Sequence, residues 1–192
     1  TLKGADLIAA EDTRQTRKLL AHYEISKQLI GYFEHNEEKS GCQIIERLKM
    51  GENIALVSDA GTPGISDPGY RLIRKCIAEN VVVVPVPGVS AMTAALSVAG
   101  LPTDSFLFMG FLSRKKGERR RKLESLKEEP RTLVFYESPY RIGESLVDML
   151  EIFGDREAVV ARELTKVYEE IARGRLAELA QKFSGEAARG EF

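Results

Sequence analysis

The sequence predicts an α/β fold built on a mostly parallel sheet, and three observations carry the prediction. Short apolar runs alternate with longer amphipathic segments from residue 7 to residue 98, the order of successive β-α units. Two apolar runs end in turns rich in glycine and proline. These are Asp59-Ala60-Gly61-Thr62-Pro63-Gly64-Ile65-Ser66-Asp67 and Pro85-Val86-Pro87-Gly88-Val89-Ser90-Ala91. The pattern breaks at Gly100-Leu101-Pro102-Thr103 and then restarts, which predicts a second α/β unit.

Residues 7–10 read as the first strand, and 13–23 as a helix with Asp12 as its cap. A strand follows at 28–33, then a helix at 37–50 that places Ile44, Ile45 and Leu48 on one face. Residues 54–58 read as a buried strand. Residues 67–79 read as a helix capped by Asp67, with Pro68 in its first turn. Residues 81–85 are expected to form a strand and 89–98 a helix. In the second unit, strands are expected at 106–109, 132–136, 158–161 and 167–172, and helices at 115–127, 140–153 and 176–183. The stretch 110–117 reads as a linker, so the boundary falls near residue 111 and the domains are 1–110 and 111–192. The opening Thr1-Leu2-Lys3-Gly4-Ala5-Asp6 reads as the tail of a helix, and Arg189-Gly190-Glu191-Phe192 as the start of a strand. Elements of the intact fold, its own first strand ahead of residues 1–6 and its C-terminal part, are therefore expected to be absent.

At 192 residues the chain holds one large domain or two small ones. A hydrophobic fraction of 43% with 30% charged residues fits a soluble globular protein, and cytoplasmic is the default location. No apolar stretch approaches the roughly 20 residues of a membrane helix, and no signal pattern opens the chain. Cys42 and Cys76 are isolated, and His22 and His35 are scattered, so neither a disulfide framework nor a metal site is expected. The formal net charge of −1 predicts no partner. Local charge does: seven of the nine residues from Arg114 to Lys122 are Lys or Arg. A run of this kind is either a solvated helix face or a contact for phosphate backbones.

Familiar nucleotide motifs are missing. There is no G-x-G-x-x-G after a strand, no G-x-x-x-x-G-K-[ST], and the Pro87-Gly88-Val89-Ser90-Ala91 turn lacks the second glycine of a hydrolase elbow. The chemistry must come from the strand-end turns. In a parallel sheet, neighbouring strand ends bring such turns together, where small ligands sit. Asp59 suits a hydroxyl, an ammonium or a sulfonium, and exposed backbone N–H groups with Ser90 suit a polar ligand. Glu11 and Asp12 stand between a short strand and a helix start. There they either cap the helix or polarise a hydroxyl, with Arg14 reaching a phosphate. Two more segments follow apolar strands, Phe135-Tyr136-Glu137-Ser138-Pro139-Tyr140-Arg141 and Ala161-Arg162-Glu163-Leu164-Thr165-Lys166. They are either surface ion-pair clusters or the wall of a cleft.

Taken together, these segments resemble the ribosomal RNA small-subunit methyltransferase I group, within the tetrapyrrole (corrin/porphyrin) methylase superfamily. The resemblance rests on Ala10-Glu11-Asp12-Thr13-Arg14, His35-Asn36-Glu37, Val57-Ser58-Asp59-Ala60-Gly61-Thr62-Pro63, Asp67-Pro68-Gly69, Pro85-Val86-Pro87-Gly88, Ala99-Gly100-Leu101-Pro102, Phe135-Tyr136-Glu137-Ser138 and Ala161-Arg162-Glu163-Leu164-Thr165-Lys166. It runs nearly the whole length of the chain, in order.

The resemblance implies two α/β domains with S-adenosyl-L-methionine in the cleft between them, a homodimer and no metal. It implies 2′-O-methylation of a cytidine ribose in the decoding region of small-subunit ribosomal RNA, free or assembled. Cofactor contacts would fall on Asp59, Ala60, Gly61, Thr62, Pro63, Ser90, Ala91, Tyr136 and Leu164. Catalytic roles would fall on Glu11, Asp12, Arg14, Arg162 and Lys166. RNA contacts would fall on His35, Asn36, Arg114, Lys115, Lys116, Arg119, Arg120, Arg121 and Lys122. The alternatives are a superfamily methylase acting on a small tetrapyrrole and a non-catalytic RNA-binding module. The basic run opposes the first, and the intact 59–63 turn opposes the second.

Overall fold

Leu7–Ala10 carry four apolar side chains in a row. The computed structural model, which describes residues 1–184 and 189–192, buries all four in β1, the central strand of a parallel sheet. The neighbours are β2 (Gln28–Gly31) and β3 (Ile54–Val57), in register so that Ala10 lies opposite both Gly31 and Val57. Successive side chains of β1 enter opposite layers. Ile8 packs with Ala5 and Leu20, and Leu20 belongs to helix α1 (Thr13–His22). Ala9 packs with Ile44 and Ile45 of α2 (Glu37–Lys49) and with Leu72 and Cys76 of α3 (Tyr70–Ala78). A parallel strand covered on both faces needs a continuous apolar run rather than alternation. Ile8 and Ile44 are fully buried, and each contributes about 1.5–3 kcal/mol of burial.

The chain divides into two units, Thr1–Ser90 and Ala91–Phe192. The division falls earlier than the expected boundary near residue 111, because α4 (Ala91–Ala99) is tied to later residues. Arg173 donates to the Ala99 and Val98 carbonyls, and the Met92 N–H donates to the Tyr136 hydroxyl at 3.3 Å.

In the second unit β4 (Phe106–Phe111) runs parallel to β5 (Thr132–Tyr136), with α5 (Lys116–Glu124) as the crossover. Then come α6 (Ile142–Phe153), the antiparallel pair β6 (Glu157–Arg162) and β7 (Glu170–Arg175), and α7 (Leu176–Lys182). Ile142 and Leu146 of α6 meet Leu176 and Leu179 of α7 over Val160 and Ala172 of the hairpin. The last residues make strand-like backbone bonds: Glu137 N–H donates to the Phe192 carbonyl at 3.0 Å, and Glu163 N–H to that of Glu191 at 2.9 Å.

Three expectations need correction. Residues 81–85 form no strand, and Val82 and Val84 are 84% and 73% exposed. Valine favours a pleated, half-buried surface only where a ladder partner exists, and among the described residues this segment has none. Asp67 does not cap α3; Gly69 does, at φ 152°. Finally, β4 continues to Phe111, which takes the start of the expected linker into the sheet.

Candidate functional site

In the first unit the parallel register ends β1 and β3 together, so the residues that follow them meet. The Asp59 N–H donates to Glu11 Oε2 at 3.1 Å, and the Asp12 N–H donates to Asp59 Oδ1 at 3.2 Å. Glu11, Asp12 and Asp59 therefore form one hydrogen-bonded group at the carboxyl edge of the sheet. Asp12 is also the cap of α1, accepting the Arg14 N–H at 2.7 Å. Its carboxylate takes the Arg14 guanidinium as well, and these bonds hold it down to about 2. Capping and a site role are thus combined in Asp12, while Arg14 is paired with it.

The turn after β3 leaves Asp59, Ala60 and Gly61 exposed. The Thr62 hydroxyl donates to the Val89 carbonyl at 3.1 Å, which joins this turn to the proline-rich one before Ser90. The expected pairing of the two turns is therefore present within the first unit.

Asp67 closes the same turn; the sequence places it in that turn and as a helix cap, and not among the site residues. Burial pushes its carboxyl up to about 6, with Glu11 and Asp59 adding repulsion and a hydrogen bond with Ser58 opposing. The raised value means that the folded protein binds the proton more tightly than the unfolded chain does. The Asp67 contribution is therefore fully present below pH of about 4 and is lost as pH rises through about 6. Asp67→Asn should raise the melting temperature relative to the parent at pH of about 7.5 but not at about 4.5. Melting curves at the two pH values check this, and a difference that does not grow with pH refutes it.

The second unit places the other expected residues. Ala91 opens α4, and the neighbouring Met92 N–H bonds to Tyr136, so Ala91 and Tyr136 lie together. Tyr136 ends β5, where Phe108 meets it edge to face at 4.9 Å. After β6 the backbone is strained: Glu163 and Thr165 adopt φ of 50° and 66°, flanking Leu164. Arg162 Nε donates to the Arg189 carbonyl at 2.7 Å, and its guanidinium pairs with Glu170 at 3.6 Å. Lys166 Nζ lies 2.9 Å from both Glu163 and Glu191, whose hydrogen bonds push its pKa up. Arg162 and Glu163 also line a recess of about 280 Å³ with Tyr168, Arg189 and Gly190.

The basic run is only partly a surface. Arg119 is 1% exposed and donates from Nε to Asp148 at 2.7 Å, with Glu144 at 3.3 Å. Arg120 pairs with Asp148 at 2.8 Å and with Glu151. These two arginines join α5 to α6, Arg119 from a buried position and Arg120 from a half-buried one. Arg114, Lys115, Lys116, Arg121 and Lys122 are exposed, with Lys115 paired to Glu118 at 3.1 Å. Asn36 is also occupied: its side chain accepts the Phe33 N–H at 2.7 Å and donates to the Gly31 carbonyl at 2.9 Å, shaping the β2–α2 turn. His35 beside it is exposed. Among the described residues no cluster of His, Cys, Asp and Glu can hold a metal ion, and no helix is long and apolar enough to cross a membrane.

Residues 1–180 match the family model of tetrapyrrole (corrin/porphyrin) methylases. Over its whole length the chain is 53% identical to the ribosomal RNA small subunit methyltransferase I of Halalkalibacterium halodurans and 52% to that of Bacillus subtilis, and it spans 66% of the length of each. It is 49% identical to the protein of that name from Thermotoga maritima, of which it spans 86%. Among solved structures it is similar to a cobalt precorrin-4 methyltransferase (TM-score 0.68, 18% identity, 99% of this chain and 83% of that one). It is also similar to uroporphyrin-III C-methyltransferase from Thermus thermophilus, crystallised with S-adenosylhomocysteine (TM-score 0.62, 20% identity, 99% and 84%). The structural likenesses speak for the fold, and the sequence likenesses place the chain more narrowly: it belongs to the tetrapyrrole methylase family, among the ribosomal RNA small subunit methyltransferase I proteins.

Proposed function

We propose that this chain forms the larger part of an S-adenosylmethionine-dependent methyltransferase that acts on small-subunit ribosomal RNA, at the 2′-oxygen of a cytidine ribose in the decoding region. The observation that carries this reading is the hydrogen-bonded group Glu11–Asp12–Asp59 beside the paired turns at 59–67 and 85–90. The names of relatives about 50% identical support ribosomal RNA as the acceptor.

The residues present suit the cofactor. In the first unit the exposed backbone at 60–61 offers N–H donors and Asp59 offers negative charge, and in the second the Tyr136 ring stands beside the start of α4. In the first unit Asp59, Ala60, Gly61, Thr62, Pro63 and Ser90 are the candidates to hold the group, and the second unit's own candidates are Ala91, Tyr136 and Leu164. When bound, S-adenosylmethionine would supply an electrophilic methyl carbon on a sulfonium, with the neutral thioether as leaving group. The chain's own task is to align that oxygen and take its proton.

Glu11 suits the proton better than Asp12. Asp12 is held near 2 by Arg14 and is a poor base. Glu11 uses one oxygen for the Asp59 N–H and keeps further lone pairs for a hydroxyl. Glu11→Gln should therefore lower the methylation rate by roughly 100-fold or more while cofactor affinity holds. Asp12→Ala and Lys166→Ala are run beside it. The assay uses the intact protein with labelled S-adenosylmethionine and naked RNA, isolated small subunits or tetrapyrrole. Full rate in all three variants removes the catalytic assignment. Label on a base removes the 2′-O reading, and label on tetrapyrrole removes the RNA reading.

A further inference from the structure

Helix α1 starts at the carboxylate group, and its outer face is exposed. Thr16 and Leu20 are buried; Arg14, Arg17, Lys18, Leu19, His22 and Tyr23 are exposed. The helix contains no acid, and Arg14 stands three residues before Arg17 and four before Lys18. Like charges at these spacings repel, and cations in the first two turns also oppose the helix dipole. A merely solvated face alternates signs and pairs them, whereas among the described residues Arg17 makes no ion pair and Lys18 bonds to Gln15, at 3.0 Å. A polyanion laid along the face removes both penalties. At the far end Tyr23 is 56% exposed and stands edge-on to His22, with ring centroids 4.9 Å apart, leaving an aromatic surface open to a base.

We propose that the outer face of α1 is a contact for single-stranded RNA, with Arg17 and Lys18 each holding a backbone phosphate and Tyr23 stacking an unpaired base. The helix is ten residues, about 15 Å, long, so a strand along it is led within a few nucleotides to Glu11 and Asp12 at its head. This rests on RNA being the acceptor and assigns where the first unit grips it.

The test titrates the intact protein into a fluorescein-labelled single-stranded RNA of decoding-region sequence, from about 50 to about 200 mM salt. Arg17→Gln/Lys18→Gln and Tyr23→Ala are compared with the parent, and S-adenosylmethionine affinity and melting temperature report the fold. The double variant should bind about tenfold more weakly, with a log–log salt slope shallower by about 1.4, twice the single-strand value per phosphate. Tyr23→Ala should lose roughly fivefold or more with the slope unchanged. Cofactor affinity should hold in both. If the parent binds and the double variant matches it in affinity and slope, the α1 contact is wrong while the RNA reading stands. If the parent does not bind this RNA, the single-strand contact on α1 is wrong, and the acceptor reading is decided separately by whether isolated small subunits take the label.

Discussion

Asp148→Ala should lower the unfolding free energy by about 3–5 kcal/mol, more than any other single polar change in the second unit. The reason is Arg119, whose side chain is 1% exposed and whose main partner is the Asp148 carboxylate, itself 3% exposed. Removing the carboxylate leaves a guanidinium out of water whose one other ion-pair partner among the described residues is Glu144, 70% exposed, at 3.3 Å. Burial pushes the Asp148 carboxyl up, but hydrogen bonds from Arg119 and Arg120 outweigh it and hold it below the ordinary value. The sign follows. This stabilisation is present above the unfolded pKa of about 3.8 and is lost as pH falls below it. Urea unfolding near neutral pH measures the loss. A double replacement, Arg119→Leu with Asp148→Leu, should recover most of it, because an apolar pair needs no charge compensation. A loss under about 1 kcal/mol for Asp148→Ala would show that the arginine relaxes to solvent. The same network bears on function: an Arg119 variant that loses RNA affinity does so by unfolding α5 from α6, and circular dichroism would reveal that.

Local pattern carried much of the fold. The run Leu7–Ala10 and the Ile44/Ile45 stripe are each explained by the layer that they bury, so β1 and α2 were legible. What depends on a distant neighbour was not. The valines at 81–84 look like a strand, yet a strand exists only where another backbone takes its hydrogen bonds. Arg119 was hidden inside a charge run, although one signal was there. Leu123 and Leu126 stand four and seven residues beyond it and are both buried, so the helix period already put Arg119 on the inner face. The carboxylate group was readable as separate acids at two strand ends. Its hydrogen bonding was not, because it depends on β1 and β3 being adjacent. Asp67 was missed for the same reason: its raised pKa comes from burial and from Glu11 and Asp59, which are remote in sequence.

Gly69→Ala should weaken S-adenosylmethionine binding by about tenfold or more, along with about 1–3 kcal/mol of stability. Gly69 caps α3 with φ at 152°, a conformation that side chains rarely adopt. A Cβ there would sit 3.0 Å from the Gly64 nitrogen, 3.1 Å from the Gly64 Cα and 3.3 Å from Leu56 Cδ2. Two of these neighbours are backbone atoms and cannot rotate aside, and Leu56 is packed in the core of the first unit. Relief comes only by moving the Gly64 peptide, and with it the 59–67 turn, or by unwinding the start of α3. Gly61→Ala is the informative comparison. It also imposes strain, at φ 69°, but its Cβ meets nothing within 4 Å, so the turn keeps its place. Calorimetric titration with S-adenosylmethionine beside thermal melting separates the two effects. If displacement of the turn is what matters, Gly69→Ala loses the more affinity, while both variants lose stability. Parental affinity in a destabilised Gly69→Ala would detach the turn from the cofactor and leave Gly69 a residue of the fold alone.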